Sequence, residues 1–155
     1  MPYSVRYHFV QRFAVPARKA YNWCTDYDPA DHLLMRHEDS ERQITHLTDS
    51  TILLTDTFHI GGDRVEKQKL VHLYPDKLSW IVTHLTGPIK YSQFIYEIST
   101  YGETASRLDF TGLFIDYRRE NLDKNSAKML ADKLRKEDSA AWKLLAKAMA
   151  QGLCK

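Results

Sequence analysis

The side chains in this sequence best suited to moving protons fall in its middle third. Asp56, Glu66 and either His72 or His84 lie on neighbouring predicted strands. Facing inward, they would form a carboxylate and imidazole set whose burial shifts pKa values toward acid and base use. A second candidate is the run Asp28-Pro-Ala-Asp-His32-Leu-Leu-Met-Arg-His37. Two histidines beside a carboxylate are the parts of a non-haem iron(II) site. The spacing works against it, because side chains five apart on a regular helix point about 140° away from each other. No metal is therefore expected, and His32 and His37 read as solvated surface groups. No GxSxG, Walker or Rossmann fingerprint occurs, so serine-hydrolase, nucleotide and dinucleotide chemistry have no support. No cofactor is expected and no residue is designated catalytic.

A larger set of side chains is suited to holding an apolar molecule. Aromatics make up 12% of the chain, with nine Tyr, six Phe and three Trp. On the strand over 51–60, Ile52, Leu54, Asp56, Phe58 and Ile60 share one side. A three-residue Gly61-Gly62-Asp63 connection would put Glu66, Gln68 and Leu70 beside them. A two-residue Gly-Gly turn would instead pair Asp56 with Lys67, and this choice stays open. Trp80, Val82 and His84 alternate on the next strand. Phe94, Tyr96 and Ile98 follow on another, and Leu108, Phe110, Gly112 and Phe114 on the last. The candidate ligand-binding residues are Asp56, Phe58, Trp80, His84, Phe94, Tyr96 and Phe110 from the strands, with Leu130 and Leu134 from the helix that follows.

These faces need elements to carry them. Tyr3, Val5, Tyr7, Phe9 and Phe13 alternate with Ser4, Arg6, His8 and Arg12, which predicts a half-buried first strand. Val15-Pro16 stops it, and Ala17, Ala20, Tyr21 and Cys24 follow at helical spacing. Asp28-Pro29 starts a second short helix through Leu33, Leu34 and Met35. From Glu41 to Ile115, turn signals near 49–50, 61–63, 75–76, 87–88 and 102–103 cut the chain into six strands of an antiparallel meander. From about Asn121 to Gln151 there is no Pro or Gly. Leu122, Met129, Leu130, Leu134, Ala141, Leu145, Ala148 and Met149 form an apolar stripe there. This predicts a long amphipathic helix ended by Gly152, with Glu137-Asp138-Ser139 as the place where it would break or hinge.

The order strand, two short helices, six-strand meander and long helix resembles the helix-grip superfamily. That group includes START-type lipid-transfer domains, pollen-allergen-type carriers and polyketide aromatase/cyclases. Phe13-Ala-Val-Pro-Ala-Arg-Lys-Ala-Tyr-Asn-Trp-Cys-Thr-Asp26 looks like its strand-to-helix entry, and Ser106-Arg-Leu-Asp-Phe-Thr-Gly112 is similar to its last strand. The resemblance implies one α+β domain over 1–155, a seven-stranded curved antiparallel sheet with the long helix packed over its concave face. It also implies a cavity between them for a lipid-, steroid- or polyketide-like molecule. Ring-hydroxylating dioxygenases share the superfold, but the acids before His32 sit at the wrong offsets for their iron ligands. Binding or carrying such a molecule is the expected function. A cyclase, dehydratase or hydrolase using the same cavity is the alternative, and a co-chaperone-like interaction module is a third.

Bulk composition agrees. Twenty-two Lys and Arg against 20 Asp and Glu leave a net charge of +2, which is no basis for a nucleic-acid face. Residues 1–6 carry no signal-like apolar segment, and no run reaches the ~20 apolar residues of a membrane span. Cys24 and Cys154 read as reduced thiols. The expectation is a cytoplasmic chain without stable membrane insertion, partnered by a hydrophobic small molecule, and of undetermined oligomeric state.

Overall fold

The computed structural model describes residues 2–27, 40–120 and 122–152. Strand β1, Pro2–Phe13, buries its odd-numbered side chains from Tyr3 to Phe9 and then Phe13, while Ser4, Arg6 and His8 face outward. Helix α1, Ala17–Thr25, follows Pro16 directly and buries Ala17, Ala20, Tyr21, Trp23 and Cys24. The second short helix expected after it, the His32/His37 motif and Cys154 all lie outside the described residues.

The meander comprises β2 (Ser40–Thr48), β3 (Thr51–Ile60), β4 (Asp63–Tyr74), β5 (Ser79–His84), β6 (Gln93–Thr100) and β7 (Ser106–Glu120). Every pairing is antiparallel, and the sheet order is β1-β7-β6-β5-β4-β3-β2. The first strand thus returns to pair with the last, and β1 and β2 form the two edges. Buried Ser106 ties this junction together, its hydroxyl donating to the Val15 carbonyl at 2.8 Å. Helix α2, Lys124–Ala150, closes the concave face, making the α+β helix-grip arrangement.

One open register is settled and two local expectations are corrected. Gly61 and Gly62 both have positive φ, 58° and 86°, which lets the β3–β4 hairpin close in two residues. Asp56 therefore pairs with Lys67 and Leu54 with Lys69. The two-residue alternative holds, so Glu66, Gln68 and Leu70 take the outer face of β4, while Val71 becomes fully buried. The long helix does not break at 137–139. Ser139 Oγ donates back to the Lys136 carbonyl at 3.2 Å instead of capping a new segment, and the helix runs 27 residues, about 40 Å. Met129, counted in the apolar stripe, is 73% exposed, because one helical step of about 100° separates it from half-buried Leu130.

Asp123 starts α2 by accepting from the Ser126 amide at 2.7 Å, a standard N-cap. Leu130 and Leu134 then pack with Tyr7, Phe9, Phe110 and Phe114 in one cluster. Ala146, Ala148 and Met149 pack at the far end with α1. No helix among the described residues is long and apolar enough to cross a membrane.

Candidate ligand-binding site

Between these two packed regions lies a cavity of about 310 Å³, within the size range of small-molecule sites. The alternation of the central strands supplies its wall: Trp80, Val82 and His84 from β5, Phe94 and Tyr96 from β6, and Phe110 from β7. The rings are mutually ordered. Trp80 stacks on Tyr96 with centroids 4.6 Å apart and planes 2° from parallel, and Tyr96 meets Phe110 edge-on at 5.1 Å. Helix α2 adds Asp138, Ala141, Trp142 and Leu145, while Trp23, Cys24 and Tyr27 close the α1 side. All three tryptophans of the chain face this one space.

Of the ligand-binding candidates from the sequence, Trp80, His84, Phe94, Tyr96 and Phe110 line the cavity. Asp56 lies just behind the lining, fully buried. Phe58 sits further along β3 with Lys67 Nζ 5.3 Å from its ring centre, away from the lining, and Leu130 and Leu134 belong to the neighbouring packed cluster. The acid and base set is assembled only in part: Asp56 and His84 lie on the inner side around Lys69, whereas Glu66 is exposed and His72 pairs with Thr51 and Ile81 on the outer face. Among the described residues, no group of three or more His, Cys, Asp or Glu is placed to hold a metal.

Two polar constellations were missed by the sequence reading. At the β2–β4 side, Arg42 donates to Asp56 through Nε at 2.7 Å and Nη2 at 2.9 Å, a bidentate pair. Lys69 Nζ reaches the same carboxylate at 3.3 Å. Arg42 and Lys69 both line the cavity. Burial pushes the Lys69 amine below its ordinary range, and Asp56 opposes the shift. At the β1 side, the Tyr7 hydroxyl donates to Asp138 Oδ2 from the middle of α2. Burial raises the pKa of Asp138, against the lowering effect of that hydrogen bond. Burial and Asp138 together raise that of Tyr7. An amine and a carboxyl group, each biased toward its neutral form, therefore border one apolar space.

His84 is held toward its neutral form. Burial, then the charges of Lys69 and Lys67, push its pKa down to about 3. It should stay neutral from about pH 5 to 8, with ring-proton NMR shifts flat across that interval. The unfolded chain takes up this proton near 6.5, so His84 lowers stability progressively as pH falls from there toward about 3. A His84 midpoint near 6.5 in the folded protein would contradict its placement against Phe94, whose ring lies 5.1 Å away.

No family model matches this sequence, and no curated protein matches it in sequence. Solved structures do match in fold. The Zhui aromatase/cyclase from a Streptomyces species aligns with a TM-score of 0.69 at 14% identity, covering 93% of this chain and 91% of that one. Ara h 8.0201 aligns at 0.68 with 9% identity over 96% and 99% of the two chains. Norcoclaurine synthase from Thalictrum flavum, solved with dopamine and hydroxybenzaldehyde, aligns at 0.68 with 14% identity over 99% and 91%. Identities this low establish the shared helix-grip fold over nearly the whole chain and leave the chemistry to the residues.

Proposed function

We propose, starting from the helix-grip fold shared with those structures, that this protein binds or carries a hydrophobic small molecule. The ligand would be lipid-, steroid- or polyketide-like, held between the concave sheet face and α2, with 1–155 acting as one cytoplasmic unit. The observation that carries this reading is the cavity itself, about 310 Å³ left open under a 27-residue helix that could otherwise have packed down on the sheet. An unfilled space forfeits dispersion contacts around its whole lining, a cost that an apolar occupant removes. Binding is preferred over catalysis because Asp138 is already engaged by Tyr7 and Lys69 by Asp56.

The test uses N-phenyl-1-naphthylamine, a neutral aromatic probe that fluoresces when desolvated. Saturable binding at one site is expected. Ala141→Trp, which adds an indole to the helix wall of the cavity, should weaken binding by about tenfold or more. The smaller Ala141→Leu should have an intermediate effect. Absence of saturable binding, or affinity indifferent to both substitutions, would sink the proposal.

A further inference from the structure

We propose that the ligand is an organic anion, an apolar body ending in a carboxylate that docks against Lys69 and Arg42. This deepens the binding reading above and rests on it.

The geometry begins with three adjacent strands. Arg42 on β2, Asp56 on β3 and Lys69 on β4 meet on the inner face, with Asp56 fully buried behind the two cations. Among the described residues this end of the cavity holds two cations and one carboxylate. Arginine has five N–H donors and lysine three. Asp56 accepts two from Arg42 and one from Lys69, which leaves donors of both cations uncommitted among the described residues. A desolvated cation is stable only when paired and hydrogen-bonded, so a half-neutralised cluster favours one further oxyanion. Burial, with the neighbouring charge of Arg42 adding to it, lowers the pKa of Lys69, a shift that a further anion would oppose as Asp56 does. Lys69 keeps 23% of its side chain accessible although its partner keeps none, so the cation rather than the carboxylate is what an occupant can reach.

The rest of the cavity sets the ligand's shape and direction. Beside Lys69 the wall continues through Val82, His84 and Phe94, neutral groups against which an apolar body can lie. At the other side, Tyr7 and Asp138 hold an acidic group. Strands β1 and β4 are four steps apart in the sheet order, roughly 19 Å along a flat sheet and less along a curved one. A carboxylate placed at the β1 side would meet Asp138, whereas at the β4 side it meets Lys69 and Arg42. The two ends thus select both the sign of the ligand's polar group and its orientation.

The experiment measures displacement of N-phenyl-1-naphthylamine by two competitors with one ring system, 2-naphthoate and neutral 2-naphthamide. In the unaltered protein, 2-naphthoate is expected to compete about tenfold more strongly, the worth of one charge-assisted hydrogen bond. Lys69→Met should abolish that preference, read as the ratio of the two competitors' affinities within the variant, and Lys69→Arg should retain it. Equal competition in the unaltered protein, or a preference that survives Lys69→Met, overturns the anionic ligand while leaving apolar binding standing. If the reporter itself fails to bind, the binding reading falls and this inference falls with it.

Discussion

Replacing Gly112 by alanine should destabilise the protein by about 2–4 kcal/mol, more than any surface substitution could. Gly112 on β7 pairs with Tyr7 on one side and Phe94 on the other. A Cβ built there would lie 2.5 Å from both Cε1 and Cζ of Tyr7 and 2.9 Å from its hydroxyl oxygen. The ring must therefore move, and it is poorly placed to do so. It is 4% exposed, packs on Phe110 with centroids 5.8 Å apart, and donates to Asp138. Displacing it removes the partner of a part-buried carboxyl group as well as the ring's own contacts. A double-mutant cycle isolates the cause. In a Tyr7→Ala background the obstacle is gone, so adding Gly112→Ala should cost almost nothing further. Chemical denaturation of the four proteins gives the coupling. A silent Gly112→Ala, or two fully additive effects, would mean that the glycine is not there to let the ring cross it.

Asp56→Asn is expected to cost about 3–5 kcal/mol, because it leaves Arg42 and Lys69 desolvated beside a neutral amide. The loss should depend on pH in a definite direction. Lys69 already titrates below its ordinary 10.5 when folded, and without Asp56 it titrates lower still. Between the folded and unfolded values the unfolded chain holds more protons, so stability of the variant rises with pH as Lys69 sheds its charge. Adding Lys69→Met to Asp56→Asn should recover part of the loss at neutral pH, since one unpaired cation is gone. Denaturant melts at neutral and alkaline pH read both effects. A cost below about 1 kcal/mol would contradict the ion cluster as described.

Much of the scaffold was legible because period-two patterns leave few alternatives. Tyr3 to Phe9 alternate cleanly with polar residues, and Leu108 and Phe110 flank Asp109 in the same way, so their burial followed. The polar ends of the cavity were not legible, for reasons of register. Whether Lys69 faces in or out hangs on a hairpin closing in two residues rather than three, and glycines permit both. Arg42 depends on a register shift between His46 and Thr48 in the β2–β3 pairing, which places it opposite Asp56. Without that shift it would pair with Thr57, and no local signal marks a bulge. On the helix, the charged 137–139 segment read as an interruption of the apolar stripe. Asp138 is in fact on the inward face, four residues before Trp142, and its charge is accommodated by Tyr7 from a strand 131 positions away. A buried carboxyl group inside an amphipathic pattern looks like a hinge until its partner is known.

The three tryptophans provide the most direct test of the cavity as a binding site. Trp23, Trp80 and Trp142 come from α1, β5 and α2, and each lines the same space. Their indole N–H signals can be followed by NMR as N-phenyl-1-naphthylamine is added. All three indole signals should shift or broaden together and saturate with one dissociation constant. If the probe perturbs exposed residues such as Met129 and Leu144 on the outside of α2 while the indole signals stay fixed, the ligand does not occupy the cavity.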